Sequence, residues 1–109
     1  MKYKVISIPH FDKEFKRLSK KHHSIKSDLA NLVTELVKNP IMGDMITKSC
    51  YKIRMAITSK GKGKSGGARI ITYVIAPDET IFLLSIYDKS EQINISDREL
   101  LELIESIGL

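Results

Sequence analysis

Three short stretches of the chain carry cations and phenols at spacings that a β-strand would turn to one side. "YKIRMAI" sets Lys52 and Arg54 two residues apart, "ARIITYVIA" sets Arg69 and Tyr73 four apart, and "IFLLSIYDK" sets Tyr87 and Lys89 two apart. Alternate residues of a strand share a face. Consecutive pairing of three strands would therefore gather all six near one end of a sheet, with no carboxylate among them. Such a set suits an anionic transition state, where each fixed donor contributes roughly 3 kcal/mol. One reaction it fits is metal-free cleavage of RNA. The ribose 2′-hydroxyl attacks the adjacent phosphorus, the cations steady the pentacoordinate oxyanion, and a phenol or lysine handles a proton. No general base with a near-neutral pKa accompanies the set, and a face that binds phosphate without reacting is the alternative.

The segment "SKGKGKSGG" (59–67) lies between the first two of these strands. Its Gly63-Lys64-Ser65 resembles the end of a phosphate-binding G-x-x-x-x-G-K-[ST] loop. The first glycine of that motif would fall at Thr58, and the run opens a strand where the motif opens a helix, so a nucleotide site is excluded. The glycines suit a hairpin connection. Lys60, Lys62 and Lys64 then stand at its tip as free counter-charges for a nucleic-acid backbone, contacts that give affinity without sequence choice. A solvated hairpin tip is the plainer alternative.

The charge pattern agrees with a phosphate partner. Formal net charge is +5 over 109 residues, and between Asp44 and Asp78 every charged residue is basic: Lys48, Lys52, Arg54, Lys60, Lys62, Lys64 and Arg69. The last twenty positions carry Glu91, Asp97, Glu99, Glu102 and Glu105 against Arg98 alone. A basic middle beside an acidic end gives a one-sided positive field. Apolar residues make up 42% of the chain, enough for a small core in a single domain over 1–109. No apolar run is long enough to span a bilayer. The start "MKYKVISIPHF", broken by Pro9, does not fit a signal peptide. Cys50 is the lone cysteine and suits a reducing cytoplasm.

Residues 3–8 read as a strand stopped by Pro9. Phe11, Phe15 and Leu18 mark one amphipathic helix. Ile25, Leu29, Leu32, Val33 and Leu36 mark a second, ending at Asn39 before Pro40. The three strands follow, with a turn at "APDET". "SDRE" opens a last helix through a capping box of Ser96 and Glu99, and Gly108 ends it. The order is β-α-α-β-β-β-α. The class is α+β, with an N-terminal strand and helix hairpin packed on a small antiparallel sheet and a C-terminal helix. His22 and His23 fall in the turn between the helices and are expected to be solvent-exposed, as is His10. No His/Cys/Asp set has metal-ligand spacing.

"CYKIRMA", "GKSGGARIITYVI" and "LLSIYDKSE", in this order behind a helix hairpin, resemble the RelE/ParE toxin superfamily, and within it the HigB-like RelE branch, over residues 11–105. The resemblance implies the toxin of a bacterial type II toxin–antitoxin system, acting in the cytoplasm without cofactor or metal. It implies a ribosome-dependent endoribonuclease that cuts mRNA in the ribosomal A site. Its partners would be a cognate antitoxin, the A site with its mRNA and the ribosomal RNA backbone, with no membrane. Lys52 and Arg54 match the family's basic pair, Arg69 the arginine on the scissile phosphate, and Lys89 a later arginine or lysine. Tyr73 or Tyr87 must supply any phenol, because Thr72 stands where many relatives have tyrosine and "SEQINIS" lacks the tyrosine that some carry there. Lys48, Lys60, Lys62 and Lys64 would hold RNA or ribosome. The alternatives are a ParE-like inhibitor of DNA gyrase and a catalytically degenerate RNA-binding relative.

Overall fold

The computed structural model describes residues 3–108; Met1, Lys2 and Leu109, the ends of the expected domain, lie outside the described residues. The chain forms strand β1 (Lys4–Ser7), helices α1 (Pro9–Lys21) and α2 (Ile25–Lys38), strands β2 (Asp44–Thr47), β3 (Cys50–Met55), β4 (Ala68–Ile75) and β5 (Thr80–Asp88), and helix α3 (Asp97–Glu105). The strands form one sheet in the order β1-β5-β4-β3-β2. β3, β4 and β5 pair antiparallel as their alternation predicts, while β1 joins β5 in parallel. The α+β class and the three-strand core therefore stand. β2 is an added strand, whose four exposed residues "DMIT" carry no alternation to betray it.

Pro9 both stops β1 and starts α1, since its fixed φ and missing N–H suit the first helical position. Phe11 and Leu18 of α1 and Ile25, Leu32 and Leu36 of α2 are buried against the sheet, with Phe15 stacked on Phe11 at 6.1 Å between ring centres. Ile53, Met55, Ile70 and Ile86 meet them from one face of the sheet. α3 lies over the opposite face, adding Leu100 and Leu103 to the core. Its start has the serine half of the expected box: Ser96 Oγ accepts from the Glu99 amide at 3.1 Å. Among the described residues no return bond runs from the Ser96 amide to the Glu99 carboxylate. Ser96→Ala should cost about 1 kcal/mol in a urea unfolding titration. The helix itself ends at Glu105, before Gly108.

Two local features set the geometry of the basic face. In β5 one residue, Leu84, is extra: Ile71 pairs with Ser85 but Thr72 with Leu83. This bulge changes the phase of β5, so Ile81, Leu83 and Ile86 all face the helix hairpin while Tyr87 faces away. At Gly67 the hairpin strands approach so closely that a Cβ would lie 2.1 Å from the Met55 carbonyl oxygen, which only glycine allows.

Candidate active site

The register places Arg54, Arg69 and Tyr87 side by side across β3, β4 and β5, on the face away from the helix hairpin. Lys52 stands in the next row with Ile71 and Ser85, and its Nζ lies 3.5 Å from Asn94 Oδ1 in the segment leading to α3. Residues in adjacent strands at these positions lie about 5 Å apart at Cβ. Three cations and a phenol thus share one patch. Tyr73 shares their face two rows beyond Arg69. It lines a separate cavity with Lys48, Leu100 and Ile104 under α3.

Arg69 is only 5% exposed. Its Nη1 donates to the carbonyls of Lys64 (2.9 Å) and Ala68 (3.0 Å), and Nη2 to that of Ser65 (3.5 Å). The glycine–lysine segment therefore fixes the arginine as well as presenting lysines. Burial and the neighbouring Arg54 charge lower the Arg69 pKa, with Tyr87 opposing. A guanidinium remains charged in proteins all the same. Of its five N–H groups, Nε–H and one on Nη2 are left without a carbonyl.

Tyr87 is 1% exposed, and its hydroxyl has no hydrogen-bond partner among the described residues. Burial raises its pKa; Arg69 works against that, and Glu14 of α1 and Glu99 of α3 add to it. Two carboxylates outside the six-residue set, Glu14 and Glu99, thus lie within electrostatic range of its phenol. At neutral pH the phenol keeps its proton and is a donor without an acceptor.

The rest of the expected set is dispersed. Lys89 follows the last strand residue; its amide donates to the Gly67 carbonyl at 3.0 Å, and its side chain lines a cavity with Lys60 and Lys62. Lys62 and Lys64 are exposed, as a loop tip requires. Lys60 is not a free counter-charge: its Nζ donates to Asp88 Oδ1 at 2.9 Å, and its side chain is 15% exposed. His22 is not solvated either, because its Nε2 lies 3.1 Å from Asp88 Oδ2. His10 is likewise partly covered, 3.1 Å from Glu14 Oε1, and only His23 is exposed.

Asp88, the residue that sequence reasoning missed, ties these groups together on the hairpin side of the sheet. It also accepts from Ser90 N (2.9 Å) and Ser90 Oγ (2.7 Å). Nearby, Asp28 of α2 accepts from Thr58 N and Oγ1, fastening the short helical turn Thr58–Lys60 to the hairpin. Cys50 is buried, and burial pushes its thiol up to about 11, so it is no nucleophile.

Residues 10–107 match the family described as the RelE toxin of the RelE/RelB toxin–antitoxin system. The chain belongs to the RelE toxin family. Solved structures of its fold include a double-arginine mutant of the E. coli toxin RelE in the free state, 18% identical over 98% of this chain and 99% of that one, with a TM-score of 0.65. The intact E. coli RelBE toxin–antitoxin complex matches at 19% identity over 79% of this chain and 95% of that one (TM-score 0.60). The same E. coli mutant bound to a peptide of the antitoxin RelB matches at 22% identity over 84% and 90% (TM-score 0.61). Likenesses at these identities establish the shared RelE fold.

Proposed function

We propose that the chain is a ribosome-dependent mRNA endoribonuclease of the HigB-like RelE branch, acting in the bacterial cytoplasm and held in check by a cognate antitoxin. The observation that carries this reading is the row of Arg54, Arg69 and Tyr87, with a fixed guanidinium beside a buried, unpartnered phenol. In this reading Arg69 directs its free N–H groups to the non-bridging oxygens of the scissile phosphate, and Arg54 and Lys52 neutralise the charge that builds there. The 2′-oxygen bonds to phosphorus and the bond to the 5′-oxygen breaks, leaving a 2′,3′-cyclic phosphate. Tyr87 gives its proton to the departing 5′-oxygen. The row holds no group that takes the 2′-hydroxyl proton at neutral pH, so that proton passes to water or to a group of the ribosome. The toxin then contributes charge and position, which account for much of a rate enhancement when the ribosome orients the mRNA. Lys48, Lys62 and Lys64 contact the mRNA or ribosomal RNA backbone.

Tyr87→Phe separates this role from a structural one. Removing an unsatisfied buried hydroxyl should leave the melting temperature unchanged or slightly raised, while cleavage falls on the order of 10²-fold. Calorimetry beside single-turnover cleavage reads both.

Primer extension on an mRNA incubated with purified protein tests the proposal, with and without programmed ribosomes. Cuts confined to A-site codons and to the ribosome sample are expected. Absence of cuts in both, with DNA gyrase inhibited instead, would replace this reading by a ParE-like one.

A further inference from the structure

Lys60, Lys62 and Lys89 line a cavity of about 250 Å³ together with Ser65, Gly66 and Ser90. It lies at the end of the sheet, between the glycine–lysine segment and the turn that follows β5. We propose that this cavity is a second phosphate site, taking one phosphodiester of the RNA backbone away from the Arg54–Arg69–Tyr87 row. The proposal rests on the reading that this chain meets RNA, and adds to it a defined pocket and its residues.

Three observations make the cavity a built site and not a chance cluster of surface lysines. Lys60 is held in place: Asp88 Oδ1 accepts from its Nζ at 2.9 Å and Ser90 Oγ at 3.4 Å, which leaves one of three ammonium hydrogens for a ligand. Lys62 is seated against the backbone of Gly66, where a Cβ would come within 2.7 Å of Lys62 Cβ and 3.2 Å of its Cδ. The absent side chain of Gly66 is thus what lets the lysine stem lie there. Lys89 is anchored through its amide to the Gly67 carbonyl at 3.0 Å, which joins the two walls.

The charge sum also favours an anion. Asp88 is matched by Lys60, and Glu91 is paired with Arg17 and Lys21. Among the described residues, Lys62 and Lys89 remain as uncompensated cations on the walls. Ser65 connects the pocket to the row, since its carbonyl accepts from Arg69 Nη2 while the residue lines the cavity. A backbone phosphate seated here would brace the segment that fixes Arg69. The site is a lysine cradle with no planar guanidinium in it, which suits a phosphate taken as a point charge. Its Ser90 hydroxyl donates to Asp88 Oδ1 at 2.7 Å and so serves to position Lys60.

The test is binding of a non-cleavable 2′-O-methyl single-stranded RNA to the purified chain, followed by fluorescence anisotropy across a potassium chloride series. Lys62→Ala with Lys89→Ala should weaken binding about tenfold at low salt and flatten the slope of log K against log[salt] by about 0.7 for each phosphate no longer neutralised. Gly66→Ala, which leaves the charge unchanged, should weaken binding in the same direction. The charge-matched pair Lys26→Ala with Lys38→Ala, on α2 and away from the pocket, should do much less. Equal effects of the two double variants would reduce the pocket to general field and overturn the proposal. The unaltered protein provides a measurement independent of variant folding. Titrated inorganic phosphate should shift the amide resonances of Ser65, Gly66 and Ser90, and unmoved amides would likewise overturn it. Neither measurement involves ribosomes or cleavage, so failure of the nuclease reading would leave their outcome intact, and the reverse.

Discussion

Arg69→Ala is expected to lower ribosome-dependent mRNA cleavage by about 10²- to 10³-fold, the loss that follows removal of one fixed donor to a developing oxyanion. The structure makes the outcome more informative than a simple loss of charge. The guanidinium is buried and spans the carbonyls of Lys64, Ala68 and Ser65, so its removal also frees the segment that holds it. Arg69→Lys restores the charge but cannot reproduce the planar fork, and should recover only a small part of the activity. Rate measurements at saturating ribosome, paired with thermal unfolding of each variant, separate the contributions. A folded Arg69→Ala protein that cleaves within about tenfold of the parent would remove Arg69 from the chemistry.

Asp88→Ala is expected to cost about 3–5 kcal/mol of folding stability, the range found when one partner of a buried ion pair is removed. The Asp88 side chain is 3% exposed and the Lys60 side chain 15%, so the stranded ammonium cannot simply return to water. Lys60→Met in the same chain should recover much of the loss, and the double-mutant cycle would give the coupling. Acid dependence should reveal the same interaction. Burial disfavours ionisation of Asp88, but hydrogen bonds from Lys60 and Ser90 and the Lys60 charge outweigh it and hold the carboxyl far below the usual carboxylate range. A group whose folded pKa is depressed stabilises the protein above its unfolded value, about 3.9 for aspartate. That contribution is whole at neutral pH and is lost as pH falls below about 4 toward the folded value. Urea unfolding of parent and Asp88→Asn, followed from neutral pH down to about 2.5, should therefore converge as acid is added.

Much of the fold is legible because its residues obey short-range periods. The 3.6-residue stripes of α1 and α2 and the two-residue alternation of β3 are properties of neighbouring positions, as is the cap at Ser96. The same alternation puts Lys52 and Arg54 on one side of their strand and Arg69 and Tyr73 on one side of theirs, and the register then sets Arg54 opposite Arg69. β5 is harder, because "IFLLSI" is apolar on both faces and carries no phase that would reveal the extra residue at Leu84. β2 has no alternation at all. The roles of Asp88, His22 and Lys60 depend on pairings across 66 and 28 positions, which no local pattern encodes. An acidic residue at the end of an otherwise apolar strand is the one available hint. Glu99 reaches Tyr87 only because α3 folds back over the sheet, so the phenol's environment does not follow from the strands alone.

The parallel pairing of β1 with β5 bears on the order in which the molecule can assemble. Lys4–Ser7 lie against Thr80–Leu83, so the earliest strand waits for nearly the last one. Non-local pairing of this kind slows folding, because the loop must close before the pairing repays it. β5 also supplies Tyr87 to the row and Asp88 to the tie among α1, the lysine segment and the sheet. A nascent chain that has not yet released residues 80–88 therefore has its helix hairpin and its basic strands but neither the strand that joins β1 to β4 nor a complete row. The row of Arg54, Arg69 and Tyr87 is completed late in synthesis, and all at once.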